Sequence, residues 1–189
     1  MAVKTFTTGE VLTASDTNTY LNNGGLVYIS SGLPSNVGSF DITGFTSTYT
    51  QFRVVMWLTR TTGTGGTAVV ATFRDASSGY ATGYYGCGFS MNYLGTTGAA
   101  NARNNAVDFS LGTVYDNVSP MRAYFDIGGM NATTYRPNLT GSLYDETSSA
   151  NIVFGYEYAG ARTLNIDRIR VTCSQNMTGG WTLYGYRTA

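Results

Sequence analysis

From residue 37 onward the apolar positions of this chain recur at every second residue. Phe52, Val54, Met56 and Leu58 alternate with Arg53, Val55, Trp57 and Thr59. Tyr85, Cys87, Phe89, Met91 and Tyr93 alternate with Gly86, Gly88, Ser90 and Asn92, and Met121, Ala123, Phe125 and Ile127 with Arg122, Tyr124 and Asp126. Shorter runs of the same kind fall at Phe40 and Ile42, at Val69, Ala71 and Phe73, at Val107, Phe109 and Leu111, at Leu139, Gly141 and Leu143, and from Ile152 through Phe154 and Tyr156 to Tyr158. A period of two is the mark of a strand, whose successive side chains point to opposite faces of a sheet. Clusters of Gly, Asn, Asp and Ser punctuate the runs as turns. About nine or ten short strands with no helical period after residue 25 predict an all-β fold, a jelly-roll β-sandwich over 37–189.

Residues 164–186 read as two strands joined by a Gly-rich connection. Ile169, Val171 and Cys173 alternate with Arg168, Arg170 and Thr172; then Ser174, Gln175, Asn176, Gly179 and Gly180 predict a turn. Trp181, Leu183 and Gly185 resume on one face, with Thr182, Tyr184 and Tyr186 on the other. Leu164 and Ile166 sit on the opposite parity, which predicts a bulge near Asp167. The run from Phe52 to Thr59 is apolar on both faces, as expected of a strand covered on two sides. In a sandwich the second cover is most simply a partner subunit. Residues 95–105, 116–120 and 128–137 read as polar loops, the usual recognition surface at the ends of a sandwich.

Residues 1–31 differ in kind. Val3, Thr5 and Thr7 look extended; Thr13 or Ser15 can cap a short helix with Asp16 in its first turn, Tyr20 and Leu21 on its apolar side, and Gly24 and Gly25 ending it. Two or three turns are marginal alone, so the helix is expected to dock on something. This predicts an N-terminal attachment segment, the alternative being a cap on the domain's own sheet. Leu26, Tyr28 and Ser30 begin a strand-like run at its end.

Composition narrows the function. Charged residues are 12% of the chain, against about a quarter in a usual globular domain, and the formal net charge is zero. Such a balance offers no field for nucleic acid or an anionic membrane. Lys4 is the sole lysine, and arginine is the residue of choice where charge is partly buried or paired at an interface. A surface so poor in charge is covered either by neighbouring subunits or by Thr, Ser and Asn. No apolar run reaches the ~20 residues of a membrane span, and no signal-peptide pattern opens the sequence, so synthesis in a cytoplasm is expected. Cys87 and Cys173 both fall on apolar strand phases and are expected as buried free thiols.

Catalytic chemistry finds little to work with. There is no histidine, which removes the commonest general base and the Ser-His and Cys-His devices. Asp145 and Glu146 are the only adjacent acidic pair, and Glu157 and Asp167 are isolated. No phosphate-binding loop and no metal-ligand spacing occur, so neither enzymatic activity nor a cofactor is expected. Aromatic platforms for a glycan could come from Trp57, Trp181, Tyr84, Tyr115, Tyr135, Tyr184 and Tyr186, although aromatics at period two are mostly core. Tyr184 and Tyr186 share a face opposite Trp181 and Leu183, which makes them candidates for a subunit or glycan contact. Arg168 and Arg170 are candidates for polar contacts between protomers.

Three stretches resemble proteins of tailed-bacteriophage particles. The segment around Phe6, Gly9, Val11, Leu12, Thr13, Ala14, Asp16 and Asn18 resembles a leader found near the start of their tail-fibre and other virion-surface components. Ile166, Ile169, Val171, Gly180, Trp181, Leu183, Tyr184 and Gly185 resemble the closing hairpin of phage jelly-roll domains, and residues 45–60 resemble the early hydrophobic strand of the same domains. The matches cover about a third of the chain. The resemblance implies a virion protein, a homotrimer with a TNF-like jelly roll, made in the host cytoplasm and displayed on the virion surface. Phe6, Val11, Leu12, Tyr20 and Leu21 would attach it to other capsid or tail proteins, and Trp57, Arg168, Arg170, Tyr184 and Tyr186 would make trimer or host-surface glycan contacts. No coiled-coil or β-helical shaft intervenes near residues 31–37. That favours a short fibre or a capsid-decorating cement protein over a long fibre. A free-standing carbohydrate-binding module is the alternative from another class.

Overall fold

The computed structural model describes residues 8, 9, 11, 25–61, 66–75, 83–92, 99–106, 108–114, 120–130, 136–145, 150–158 and 166–186. Eleven strands account for nearly all of them: β1 (Leu26–Gly32), β2 (Val37–Thr43), β3 (Gln51–Arg60), β4 (Thr67–Asp75), β5 (Tyr84–Asn92), β6 (Ala99–Ala106), β7 (Phe109–Val114), β8 (Met121–Gly128), β9 (Asn138–Asp145), β10 (Ala150–Tyr158) and β11 (Ile166–Tyr186). The fold is all-β, and every pairing between strands is antiparallel. The expected N-terminal helix lies outside the described residues. Leu26 to Ser31, at the end of the expected attachment segment, belong to β1 and pair with β11.

β11 organises the molecule. It is one strand of 21 residues, where the sequence predicted two strands and a turn. Residues 166–173 lie between β4 and β2, and residues 177–186 between β3 and β1. The first half therefore belongs to a smaller sheet, β7-β4-β11-β2, and the second to a larger one, β6-β5-β10-β9-β8-β3-β11-β1. β7 lies across from β8, β9 and β10, so the two sheets face one another as a nearly closed sandwich. Gly112 of β7 shows how close that approach is: a Cβ there would stand 2.5 Å from Leu143 Cδ1 of β9. Its φ of 140° and the register shift beside it mark a bulge that only glycine fills easily.

The predicted turn fails because the inward phase, interrupted at the exposed Ser174–Asn176, resumes in step beyond them. Ile169, Val171, Cys173, Met177, Trp181 and Leu183 are all buried and all odd-numbered. What the Ser174–Asn176 polarity marks instead is a bend. Across it four β11 residues, 173–176, stand opposite the single residue Gly38 of β2. A polar clasp holds the corner. The Thr61 hydroxyl lies 2.9 Å from Asn36 Oδ1 and 3.0 Å from the Asn176 carbonyl oxygen, the Thr61 amide donates to that same oxygen, and the Asn36 amide donates to Thr178 Oγ1. Asn36 holds φ at 54°, a conformation asparagine tolerates better than most residues. The bulge expected near Asp167 is present as a register shift between Ile166 and Arg168.

Two further expectations are corrected. Residues 99–105, read as part of a polar loop, belong to β6, which pairs with β5. Polar small residues make a poor periodic signal, and an edge strand needs only one paired side to form. Cys87, expected buried, is exposed, while Cys173 is buried as expected, and burial pushes its thiol up. The Tyr85/Cys87 phase of β5 faces outward because the inward phase carries Tyr84 and Gly86. Tyr84 is fully buried against Phe73, Phe109 and Tyr158, and Gly86 leaves the room that Tyr156 occupies. The Tyr84 hydroxyl also accepts the Phe73 amide at 2.6 Å, tying β5 of the larger sheet to β4 of the smaller.

Candidate functional site

The larger sheet turns one face to the core and the other outward. On β3 the inward residues Phe52, Val54, Met56 and Leu58 are at most 1% exposed, which leaves Arg53, Val55 and Trp57 outside. On β8 the same alternation buries Met121, Ala123, Phe125 and Ile127 and sets Arg122, Tyr124 and Asp126 outside. Register then assembles rows across the outer face, where directly opposed side chains lie about 5 Å apart. Trp57 stands opposite Arg122, and Arg122 opposite Tyr144. In the next row Thr182, Val55, Tyr124, Ser142 and Val153 follow in order. In the third, Tyr28, Tyr184, Arg53, Asp126 and Thr140 do.

The first two rows form an open groove of about 580 Å³, lined by Val55, Trp57, Pro120, Arg122, Tyr124, Ser142 and Tyr144, with Met56 and Ala123 at its floor. Val55, Trp57, Tyr124, Tyr144 and Val153 are between 40 and 59% exposed, although each is large and apolar. The Trp57 indole lies over the backbone of Gly180, where a Cβ would come within 2.8 Å of its Nε1 and 3.2 Å of Leu33 Cδ2. The glycine that the sequence offered as a turn residue is thus the seat of the exposed tryptophan.

The third row is electrostatically closed. Arg53 donates through Nε and Nη2 to both oxygens of Asp126 at 2.7 Å, and the Tyr186 hydroxyl donates to Asp126 Oδ1 at 2.7 Å. The guanidinium also sits 5.9 Å from the Tyr124 ring centroid and 5.5 Å from that of Tyr186. Arg53 and then Tyr186 hold the Asp126 carboxyl below the usual carboxylate range despite partial burial, while burial and the bond to Asp126 push the Tyr186 phenol up. A polar notch of about 330 Å³ opens beside this network, between Gln51, Asn138, Thr140 and Tyr186.

The structure brings three of the predicted contact residues, Trp57, Tyr184 and Tyr186, onto this one face. Arg168 and Arg170 lie elsewhere, on the outer side of the smaller sheet. There Arg170 donates to both oxygens of Asp41 at 2.7 and 2.9 Å, and Arg168 donates to Asp167 at 2.9 Å. Val11 is exposed, and Phe6, Leu12, Tyr20 and Leu21 lie outside the described residues, as do Tyr115 and Tyr135. Trp181 and Tyr84 are core residues. Tyr124, Tyr144 and Val153 were not singled out from the sequence. The signal that could have found them is the one that flagged Trp57, an apolar residue on the polar phase of an otherwise alternating strand.

Of the acidic residues weighed for catalysis, Glu157 pairs with Arg136 at 3.1 Å and Asp167 with Arg168, and Glu146 lies outside the described residues. Among the described residues no cluster of three or more His, Cys, Asp or Glu is placed to hold a metal ion, and no helix is long and apolar enough to cross a membrane. Comparison with protein-family models, with curated proteins and with solved structures gave no match.

Proposed function

We propose that this chain is a non-enzymatic structural protein of a tailed-phage virion, a trimeric short fibre or surface-decorating cement. Its N-terminal segment attaches to capsid or tail proteins, and the sandwich stands outward, binding the host surface or stabilising the particle. The observation that carries the reading is the outer face of the larger sheet: a grooved surface of exposed apolar side chains with Trp57, Tyr124, Tyr144 and Arg122 among them, Trp, Tyr and Arg being the types enriched in protein-contact hot spots. The sequence resemblance supplies the setting, since the stretch most similar to phage jelly rolls is β11, the strand on which both sheets hang. Imaging of virions that carry an affinity-tagged copy of the chain tests the reading. Label is expected at fixed positions on the particle surface. Purified particles free of the chain, in a lysate that contains it, would end the proposal.

A second reading, a carbohydrate-binding module, is favoured by the groove itself. Aromatic walls from Trp57, Tyr124 and Tyr144 beside Arg122 and Ser142 have the make-up of a small-ligand site, and the volume falls in the usual range. Glycan-array binding by a monomer, abolished by Trp57→Ala, is its signature.

A further inference from the structure

We propose that the outer face of the larger sheet is the contact surface between copies of this chain. The proposal deepens the trimeric reading above and takes the stoichiometry from it. The exposed apolar side chains form a continuous band over six strands, from Tyr28 and Leu33 beside β11, through Val55 and Trp57, to Tyr144 and Val153. At ~4.8 Å per strand the band is roughly 24 Å wide. Tyr28 is 60% and Leu33 82% exposed. With its exposed apolar side chains, Tyr28, Leu33, Val55, Trp57, Tyr124, Tyr144 and Val153, contributing on the order of 100 Å² each, the band offers roughly 700 Å², above the ~300–600 Å² of the largest patch on a typical monomer and close to the ~800 Å² that each partner buries in a standard interface.

The occupant follows from chemistry and shape. A sugar site needs placed polar groups along its length, whereas the band runs beyond the groove to Leu33 and Val153, which with Val55 present only aliphatic surface. A nucleic acid or anionic partner would want a strongly positive face, whereas this one carries two arginines, Arg53 and Arg122, the first cancelled within the chain by Asp126. The zero net charge of the whole chain puts no repulsion between copies. A second copy of the same neutral, aromatic-rich chain meets these conditions. Three-fold closure makes the contact heterologous, so the face meets a different surface of its neighbour.

The two tryptophans give a direct reading, because Trp57 lies on the face and Trp181 in the core. Light scattering and acrylamide quenching would be measured from 1 to 100 µM on the wild type and on the Val55→Lys/Tyr144→Lys double variant. Both substituted positions are exposed, and circular dichroism checks that the variant folds. The expected wild type has three times the 20.3 kDa chain mass and both tryptophans protected. The variant is expected to associate about a hundredfold more weakly, roughly tenfold per position, with one tryptophan quenchable. An assembled wild type in which Trp57 remains quenchable overturns the proposal even if the variant misfolds, and leaves the virion reading standing. A wild-type monomer at 100 µM overturns it too, with virion labelling deciding the function separately. A monomer in which oligosaccharide protects Trp57 overturns it in favour of the glycan module.

Discussion

Residues 166–173 and 177–186 of β11 share one strand and one buried phase, yet their outer faces differ in kind. Outside the first half, Arg168 and Arg170 are matched to Asp167 and Asp41, so the surface of the smaller sheet is polar and internally satisfied. Outside the second half, Thr182 and Tyr184 continue into Val55, Trp57 and Tyr124, with Arg122 and the closed Arg53–Asp126 pair as the charges among them. The inward phase is set by the core, which both halves share. The outward phase is free to differ: it is polar and internally paired on the smaller sheet, and on the larger it is the face proposed above to meet a partner. A face that needed only water would gain nothing from a tryptophan seated on glycine.

The sharpest way to break this comparison is to strike the phase the halves have in common. Ile169 in the first half and Leu183 in the second are both fully buried. Ile169→Ala and Leu183→Ala should each cost about 2–5 kcal/mol in urea unfolding, as large-to-small core changes do. The two should fall in a single cooperative transition. Two separate transitions would mean that the sheets are independent units and that β11 is not a common spine.

Tyr84→Phe tests whether anything besides β11 joins the sheets. The substitution keeps the ring among Phe73, Phe109 and Tyr158 but deletes the acceptor of the Phe73 amide. Leaving that buried donor without its partner should cost about 1–3 kcal/mol. A loss below about 0.5 kcal/mol would mean that the hydroxyl link contributes no more than a surface contact.

Much of the strand pattern was legible in the sequence, and the parts that were not share a physical cause. Alternation located the inward phase of β3, β4, β8, β10 and β11 because large apolar residues face a close-packed core. It misjudged β5, where the core beside Gly86 is filled by Tyr156 of the neighbouring strand β10, with Phe73 and Phe109 packing from across the sandwich, so Gly86 faces in and Cys87 out. It missed β6 because a strand of Ala, Asn and Arg has no hydrophobic period to read. It split β11 because Gly179 and Gly180 are turn residues by composition, whereas here the Gly180 backbone lies under Trp57. Of the candidate site, Trp57, Tyr184 and Tyr186 were visible one at a time. Their convergence with Tyr124 and Tyr144 depends on strand register, which pairing between distant segments decides.

The ion pairs sharpen the comparison at a smaller scale. Asp126→Asn should cost about 1–2 kcal/mol, since it weakens three hydrogen bonds, from Arg53 Nε and Nη2 and from Tyr186, around a partly exposed charge. Asp41→Asn should cost no more than about 1 kcal/mol. The discriminating measurement is assembly. Asp126→Asn releases Arg53 and Tyr186 at the aromatic face and should weaken self-association several-fold, while Asp41→Asn should leave it unchanged. Equal effects of the two variants on assembly would erase the distinction between the faces.

The smallest expected effect is on the acid side. Arg170 holds the Asp41 carboxyl below its ordinary range, and Arg53 does the same for Asp126, each against partial burial, which works the other way. A carboxyl depressed in the folded state contributes stability above its unfolded pKa of about 3.9, and that contribution is lost as pH falls through the lower folded value. Stability should therefore be insensitive to these two groups from pH 7 to about 5, then decline below about pH 4. Each is worth at most about 1 kcal/mol, because both pairs are partly exposed and screened. Urea midpoints from pH 7 to 2, with 0.5 M salt as a second arm, check this. Asp41→Asn and Asp126→Asn should each flatten part of the acid decline. If only Asp126→Asn did so, the polar outer face of the smaller sheet would draw nothing from its ion pair, and the self-satisfied half of β11 would be held by its buried side and backbone pairing alone.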